Sequence, residues 1–157
     1  MNRRLQVDLG ALVSNYRLLC DAAAPSRCAA VVKANAYGLG VGPIAKSLSG
    51  AGCDAFFVAT VQESLELRQI LRSADIFVLE GINRDNAKEL KDRDVVPVLN
   101  TLEQIQIWAN VAPNSRSILH LDSGICRLGL PLSDARKLAA NTEALGALNI
   151  DLSLIHI

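Results

Sequence analysis

Short apolar runs alternate along this chain with amphipathic stretches of helical period. The runs cover residues 29–33, 55–59, 76–79, 95–99 and 117–121, and the stretches between and after them cover 41–49, 62–71, 84–90, 102–111 and 132–144. The runs are strand-length and apolar throughout, as in strands of a parallel sheet covered on both faces. The longer stretches space their apolar residues three and four apart, which makes one face of a helix. A helix is also predicted ahead of the first run, where Leu12, Tyr16 and Leu19 recur at that spacing, with Asp8 as its cap and Pro25 ending the segment. Further start signals stand at Thr60 before Gln62-Glu63, at Asn100-Thr101 before Glu103, and at Ser133-Asp134 for the last stretch.

The resulting order is β-α-β-α, with a strand-to-strand period of about 20 to 26 residues. An α/β fold follows, and the period suits a (β/α) barrel and a doubly wound sheet equally well. One more strand is predicted at 148–154. A full eight-unit barrel takes about 250 residues, so 157 residues with about five to six βα units predict an incomplete one. No Pro-, Gly- or Ser-rich linker, repeat or charge run divides the chain, and a single partial domain is expected over 1–157.

Composition narrows the partners. Sixteen basic and sixteen acidic residues cancel, which argues against a nucleic-acid or membrane-surface role. No apolar run approaches the roughly 20 residues that span a bilayer. The start Met1-Asn2-Arg3-Arg4 leads into Leu5-Gln6-Val7-Asp8-Leu9, which is too polar for a secretory core. A cytoplasmic protein is expected, with Cys20, Cys28, Cys53 and Cys126 as reduced thiols at no metal-ligand spacing. After the first strand there is neither a GxGxxG nor a GxxxxGK[ST] pattern, so a nucleotide site is not expected.

The candidate chemistry begins at Lys33. It ends an apolar run, at the edge of the sheet where α/β proteins build their sites. Partial desolvation of an ammonium there favours the free amine, the form that attacks carbonyls; a strand-end lysine that snorkels to solvent is the alternative. The neighbours bear on the choice. Ala30-Val31-Val32-Lys33-Ala34-Asn35-Ala36-Tyr37-Gly38 resembles the cofactor-lysine signature of alanine racemases, although Leu39 stands where most members have His. The resemblance implies that Lys33 holds pyridoxal 5'-phosphate covalently and that Tyr37 reaches its phosphate.

A second segment, Asp122-Ser123-Gly124-Ile125-Cys126-Arg127-Leu128-Gly129, resembles the family's D-[ST]-G-M-x-R-L-G motif, with Ile125 for the usual Met, a volume-conserving change. Read alone, it is a turn after a strand with a surface arginine. The resemblance makes Arg127 a cofactor- and substrate-binding residue beside the cofactor's phenolic oxygen and the substrate carboxylate, a task suited to a planar, permanently charged fork. His120 stands where many members carry a lysine that becomes carbamylated and buttresses that arginine. Histidine cannot carry the carbamate, so the arginine must be oriented otherwise, by a hydrogen bond or a bound anion; a strand histidine facing the barrel interior or its helical layer is the other reading. Residues 58–68 and 96–104 are also family-like, and as strand-to-helix junctions they receive no catalytic role.

The resemblance covers roughly residues 3–151 and implies a fold-type III pyridoxal-phosphate barrel. It also implies an isomerase that interconverts L- and D-alanine to supply D-alanine for peptidoglycan, working as a homodimer, with no metal. Lys33 would be one of two bases at the alanine Cα, the second being a tyrosine from a C-terminal β-domain that these residues do not include. The 157 residues alone are therefore expected to be inactive. A racemase of another amino acid such as serine, a non-catalytic pyridoxal-phosphate barrel and an unrelated βα domain with a structural Lys33 are the alternatives. The segment Leu152-Ser153-Leu154-Ile155-His156-Ile157 departs from the family pattern and resembles translated adapter sequence, so His156 is given no role.

Overall fold

The computed structural model describes residues 4–141, 146 and 148–155. Its elements run α1 (Leu9–Ala23), β1 (Ala30–Val31), α2 (Lys33–Tyr37), α3 (Val41–Gly50), β2 (Ala55–Val58), α4 (Val61–Ile70), β3 (Asp75–Val78), α5 (Ala87–Asp92), β4 (Val96–Leu99), α6 (Leu102–Val111), β5 (Arg116–Leu121), α7 (Leu132–Ala140) and β6 (Asn149–Ile155). The six strands pair in chain order, all parallel. A doubly wound sheet would reverse its order at a switch point. Sequential order is that of a barrel wall, here an arc of six strands, and it resolves what the period left open.

The predicted caps at Asp8, Thr60 and the Asn100-Thr101 pair form, with one refinement. Asp8 accepts from the Ala11 amide at 2.9 Å, and Thr60 with Glu63 makes a reciprocal capping box. At α6 the cap is Thr101, which accepts from Gln104 N, and Asn100 turns elsewhere. The last helix begins at Leu132 behind Pro131 with no side-chain cap; Asp134 lies in its first turn and pairs with Lys137 at 2.8 Å. Its predicted end at 142–144 falls outside the described residues, as does His156. The segment 152–155 pairs along β5, from Ile118↔Leu152 to Leu121↔Ile155.

The alternation of side chains across each strand builds two cores. Phe56 and Val58, Ile76 and Val78, and Leu99 face outward onto the helices, where Leu67 of α4 and Trp108 of α6 are almost wholly buried. Ala55, Phe77, Val96, Val98 and Ile118 face inward, with Phe57, Leu79 and Leu154 packed against them. Phe57 and Phe77 stack at 4.7 Å between ring centroids. This parity fixes which residues can reach the interior.

At the N-terminal ends of the strands an ion network ties β3, β5 and β6. Arg116 grips Asp75 through two nitrogens, at 2.7 and 3.1 Å, and also pairs with Asp151. The Arg116 hydrogen bond holds the Asp75 carboxyl below the usual carboxylate range, outweighing the opposing effect of its partial burial. A carboxyl depressed in the folded state stabilises the fold above its unfolded value, and this contribution is lost as pH falls toward the folded value. The stability advantage of the native chain over Asp75→Asn, read from urea midpoints, should thus be constant above about pH 5 and shrink below about pH 4. An advantage unchanged at low pH would place the stabilisation elsewhere.

Candidate functional site

A cavity of about 590 Å³ opens at the C-terminal ends of the strands, within the usual range for small-molecule sites. Its floor and walls come from the inward set, including Val31, Phe57, Leu79, His120 and Leu154, and its polar groups include Lys33, Tyr37 and Arg127. The three residues predicted to serve the cofactor therefore share one cavity, although 90 positions separate Tyr37 from Arg127. Ala29, Val31 and Lys33 line it while Val32 is buried in the outer core, so Lys33 reaches the interior by strand parity.

The first strand is shorter than predicted. It ends at Val31, and Lys33 opens α2, a turn of the wrong hand: Ala34, Asn35, Ala36 and Tyr37 have φ between 52° and 55°. Each non-glycine residue in that region costs roughly 1–2 kcal/mol, and such strain gathers at functional sites. Ala36 N donates to Val32 O and Gly38 N to Ala34 O, each at 2.8 Å. The Asn35 side chain accepts from Val41 N at 2.8 Å, tying the turn to the start of α3. The turn exposes Tyr37 (63% exposed) at the cavity mouth. The Lys33 ammonium, half-buried, makes no hydrogen bond or ion pair with the described residues.

Arg127 rides on a loop that leaves β5 and returns to it. Leu130 N donates to His120 O at 2.8 Å and Asp122 N to Leu130 O at 2.9 Å, closing the neck. Inside the loop, Asp122 Oδ1 accepts from Gly124 N and Cys126 N, both at 3.0 Å. Those amides, Cys126 foremost, hold the Asp122 carboxyl below its usual range, which keeps the acceptor charged and the loop curled.

His120 faces the interior, which answers one of the questions its sequence position raised. It is 3% exposed, and its Nδ1 lies 2.7 Å from Asn100 Oδ1. Asn100 Nδ2 donates to Leu79 O and Val98 O, both at 2.9 Å, so its oxygen is the atom turned to the histidine and Nδ1 must donate. The sequence marked Asn100 only as part of a start signal. The role in the fold is to fix the tautomer of a cavity histidine, a link between residues 20 apart that no local pattern shows.

The strand-to-helix junctions are bound to one another above the sheet. Glu80 accepts from Val61 N at 2.7 Å, Gln104 donates to Glu80 O at 3.0 Å and accepts from Asn100 N at 2.7 Å. Gly81, at φ +80°, leaves room for Gln104, whose side chain would lie 2.4 Å from an added Cβ. Among the described residues there is no group of three or more His, Cys, Asp or Glu that could hold a metal, and no helix long and apolar enough to cross a membrane.

The donor set suits one class of cofactor. An uncommitted amine in an apolar cavity can bond an aldehyde carbon, an exposed phenol at its mouth can donate to a phosphate, and a guanidinium can face a phenolate or a carboxylate. The chain also resembles known proteins. Residues 7–157 match the family described as alanine racemase, N-terminal domain. The biosynthetic alanine racemase of Agrobacterium fabrum is 45% identical over 98% of this chain and 40% of its own length; the catabolic one of the same organism is 39% identical over 98% and 41%. The crystal structure of alanine racemase from Bartonella henselae with covalently bound pyridoxal phosphate superposes with a TM-score of 0.91 at 35% identity, over 96% of this chain and 45% of that one. The chain thus spans about two-fifths of the length of the curated relatives it matches.

Proposed function

The chain belongs to the alanine racemase family through its N-terminal domain, and on that premise we propose that Lys33 holds pyridoxal 5'-phosphate in a cytoplasmic, homodimeric enzyme that interconverts L- and D-alanine. The observation that carries the reading is the convergence of Lys33, Tyr37 and Arg127 on one cavity. When bound, the cofactor supplies an electron sink for the charge left on the substrate carbon. The protein supplies the rest.

Lys33 Nζ would bond the cofactor's aldehyde carbon and, once released, would take or return a proton at one face of the substrate Cα. The Tyr37 hydroxyl, at the cavity mouth, would donate to the phosphate. Arg127 would offer parallel N–H groups to the substrate carboxylate and the cofactor's phenolic oxygen, and it cannot lose its charge. Phe57, Leu79 and Leu154 keep the inner wall apolar, which strengthens these charged contacts. Inversion needs a second base on the opposite face.

The reading is tested by incubating the protein with pyridoxal phosphate, reducing with borohydride and mapping the peptides. A pyridoxyl group on the Lys33 peptide, at one equivalent per chain, is the expected result. Labelling confined to Lys46, Lys88, Lys91 or Lys137 would refute it.

A further inference from the structure

We propose that Glu63 is a positioning residue for Lys33, holding in place the left-handed turn on which the cofactor lysine stands. The proposal rests on the assignment of Lys33 above. Glu63 lies on α4, 29 residues from the turn, and its junction reads in sequence as an ordinary helix start. One carboxylate oxygen does serve that purpose: Oε2 accepts from Ala59 N at 2.8 Å and Thr60 N at 3.3 Å. The capping box has no use for the other.

Oε1 accepts from Ala34 N at 2.7 Å, the shortest of the three bonds. Ala34 directly follows Lys33 and is the first residue of the turn with positive φ. At the far end, Asn35 and Val41 close the turn; at the near end the closing group is Glu63. The carboxylate thereby ties the backbone beside Lys33 to Ala59 and Thr60, which line the same cavity from the end of β2. Four residues that would each relax to negative φ are held from both ends, and the origin of the lysine side chain is held with them.

All three partners of Glu63 are N–H donors, so the position requires two acceptor oxygens. Glutamine has the same shape but one acceptor, and it must turn an NH₂ group toward an N–H donor. Thr60→Ala removes the threonine half of the capping box, the bond from Glu63 N to Thr60 Oγ1, and leaves the carboxylate's bonds intact. The two variants separate capping from positioning.

The experiment uses the protein expressed from its complete gene, with pyridoxal phosphate as the probe and borohydride trapping on the Lys33 peptide as the readout, at a temperature where every variant is folded. Glu63→Gln should slow trapping about tenfold, equivalent to about 1.4 kcal/mol and in the range of one hydrogen bond to a charged group. Thr60→Ala, which also alters the cavity lining, should lower the unfolding midpoint, and any slowing of trapping it causes should not be recovered by Ala34→Gly. Adding Ala34→Gly to Glu63→Gln should recover most of the lost rate, because glycine adopts positive φ unaided, without restoring any thermal stability lost at the cap. Equal trapping in native protein and Glu63→Gln, or no recovery with Ala34→Gly, overturns the proposal. Native protein that traps nothing at Lys33 overturns the cofactor assignment itself, a different result from either.

Discussion

Lys33→Ala is expected to abolish covalent capture of pyridoxal phosphate while moving the stability of the fold by no more than about 0.5 kcal/mol. The two halves of that expectation have separate grounds. Loss of capture follows from the placement of the five lysines. Lys88 pairs with Asp92 and Lys137 with Asp134, both at 2.8 Å, Lys91 donates to Val111 O at 3.2 Å, and Lys46 is exposed on α3. Among the described residues, Lys33 is the lysine that faces the apolar cavity, and its amine has no hydrogen bond or ion pair there, so no other lysine of the five stands ready to replace it. The small change in stability follows from the same fact, since the substitution breaks no hydrogen bond and leaves no buried group unsatisfied. Urea unfolding and peptide mapping after borohydride reduction read the two halves independently. A destabilisation of several kcal/mol would mean that the lysine belongs to the structure and not to the chemistry.

Much of this arrangement was legible in the sequence, for reasons that differ from part to part. The strands at Ala55–Val58, Val96–Leu99 and Arg116–Leu121 and the helix Leu102–Val111 lie within about a residue of their predicted bounds, because fully apolar runs and capped amphipathic stretches are local signals. The choice between barrel and doubly wound sheet was not local. It depends on which strand lies beside which, and the chain-order pairing supplies it. Motifs single out Lys33 and Arg127 as candidates, and their convergence on one cavity follows from the parity of β1 and the return of the Arg127 loop to β5.

What the sequence hid depends on tertiary partners. Lys33-Ala34-Asn35-Ala36-Tyr37 has nothing in its composition to announce a left-handed turn, since alanine avoids that region on its own account. The turn exists because Glu63, Asn35 and the buried Ala36 over-determine it. Asn100 and His120 are alike in this respect. A polar residue before a helix suggests a cap, yet Asn100 points across to a neighbouring strand and leaves the capping to Thr101. In each case a residue of ordinary local type serves a partner 20 or more positions away.

On the proposed reading, and in the protein expressed from its complete gene, Gly129→Ala is expected to destabilise the fold by about 2–5 kcal/mol and, in the folded fraction, to raise the KM for alanine while leaving borohydride trapping at Lys33 intact. Gly129 sits at φ +104° in the neck of the Arg127 loop, a conformation that side chains with a Cβ rarely adopt. An added Cβ would lie 2.9 Å from Asp122 N and 3.1 Å from the His120 ring. Asp122 N is engaged with Leu130 O, and the ring is pinned by Asn100, so neither neighbour can yield cheaply. The neck must open instead. Opening it displaces Arg127, which binds the substrate carboxylate in the proposed reading, but the turn that carries Lys33 is held separately by Glu63 and Asn35. A split between substrate affinity and lysine capture is therefore what two independently supported halves of one cavity should give. Joint loss of both would show that the Arg127 loop also supports the Lys33 turn, and an unchanged KM would remove Arg127 from the substrate site.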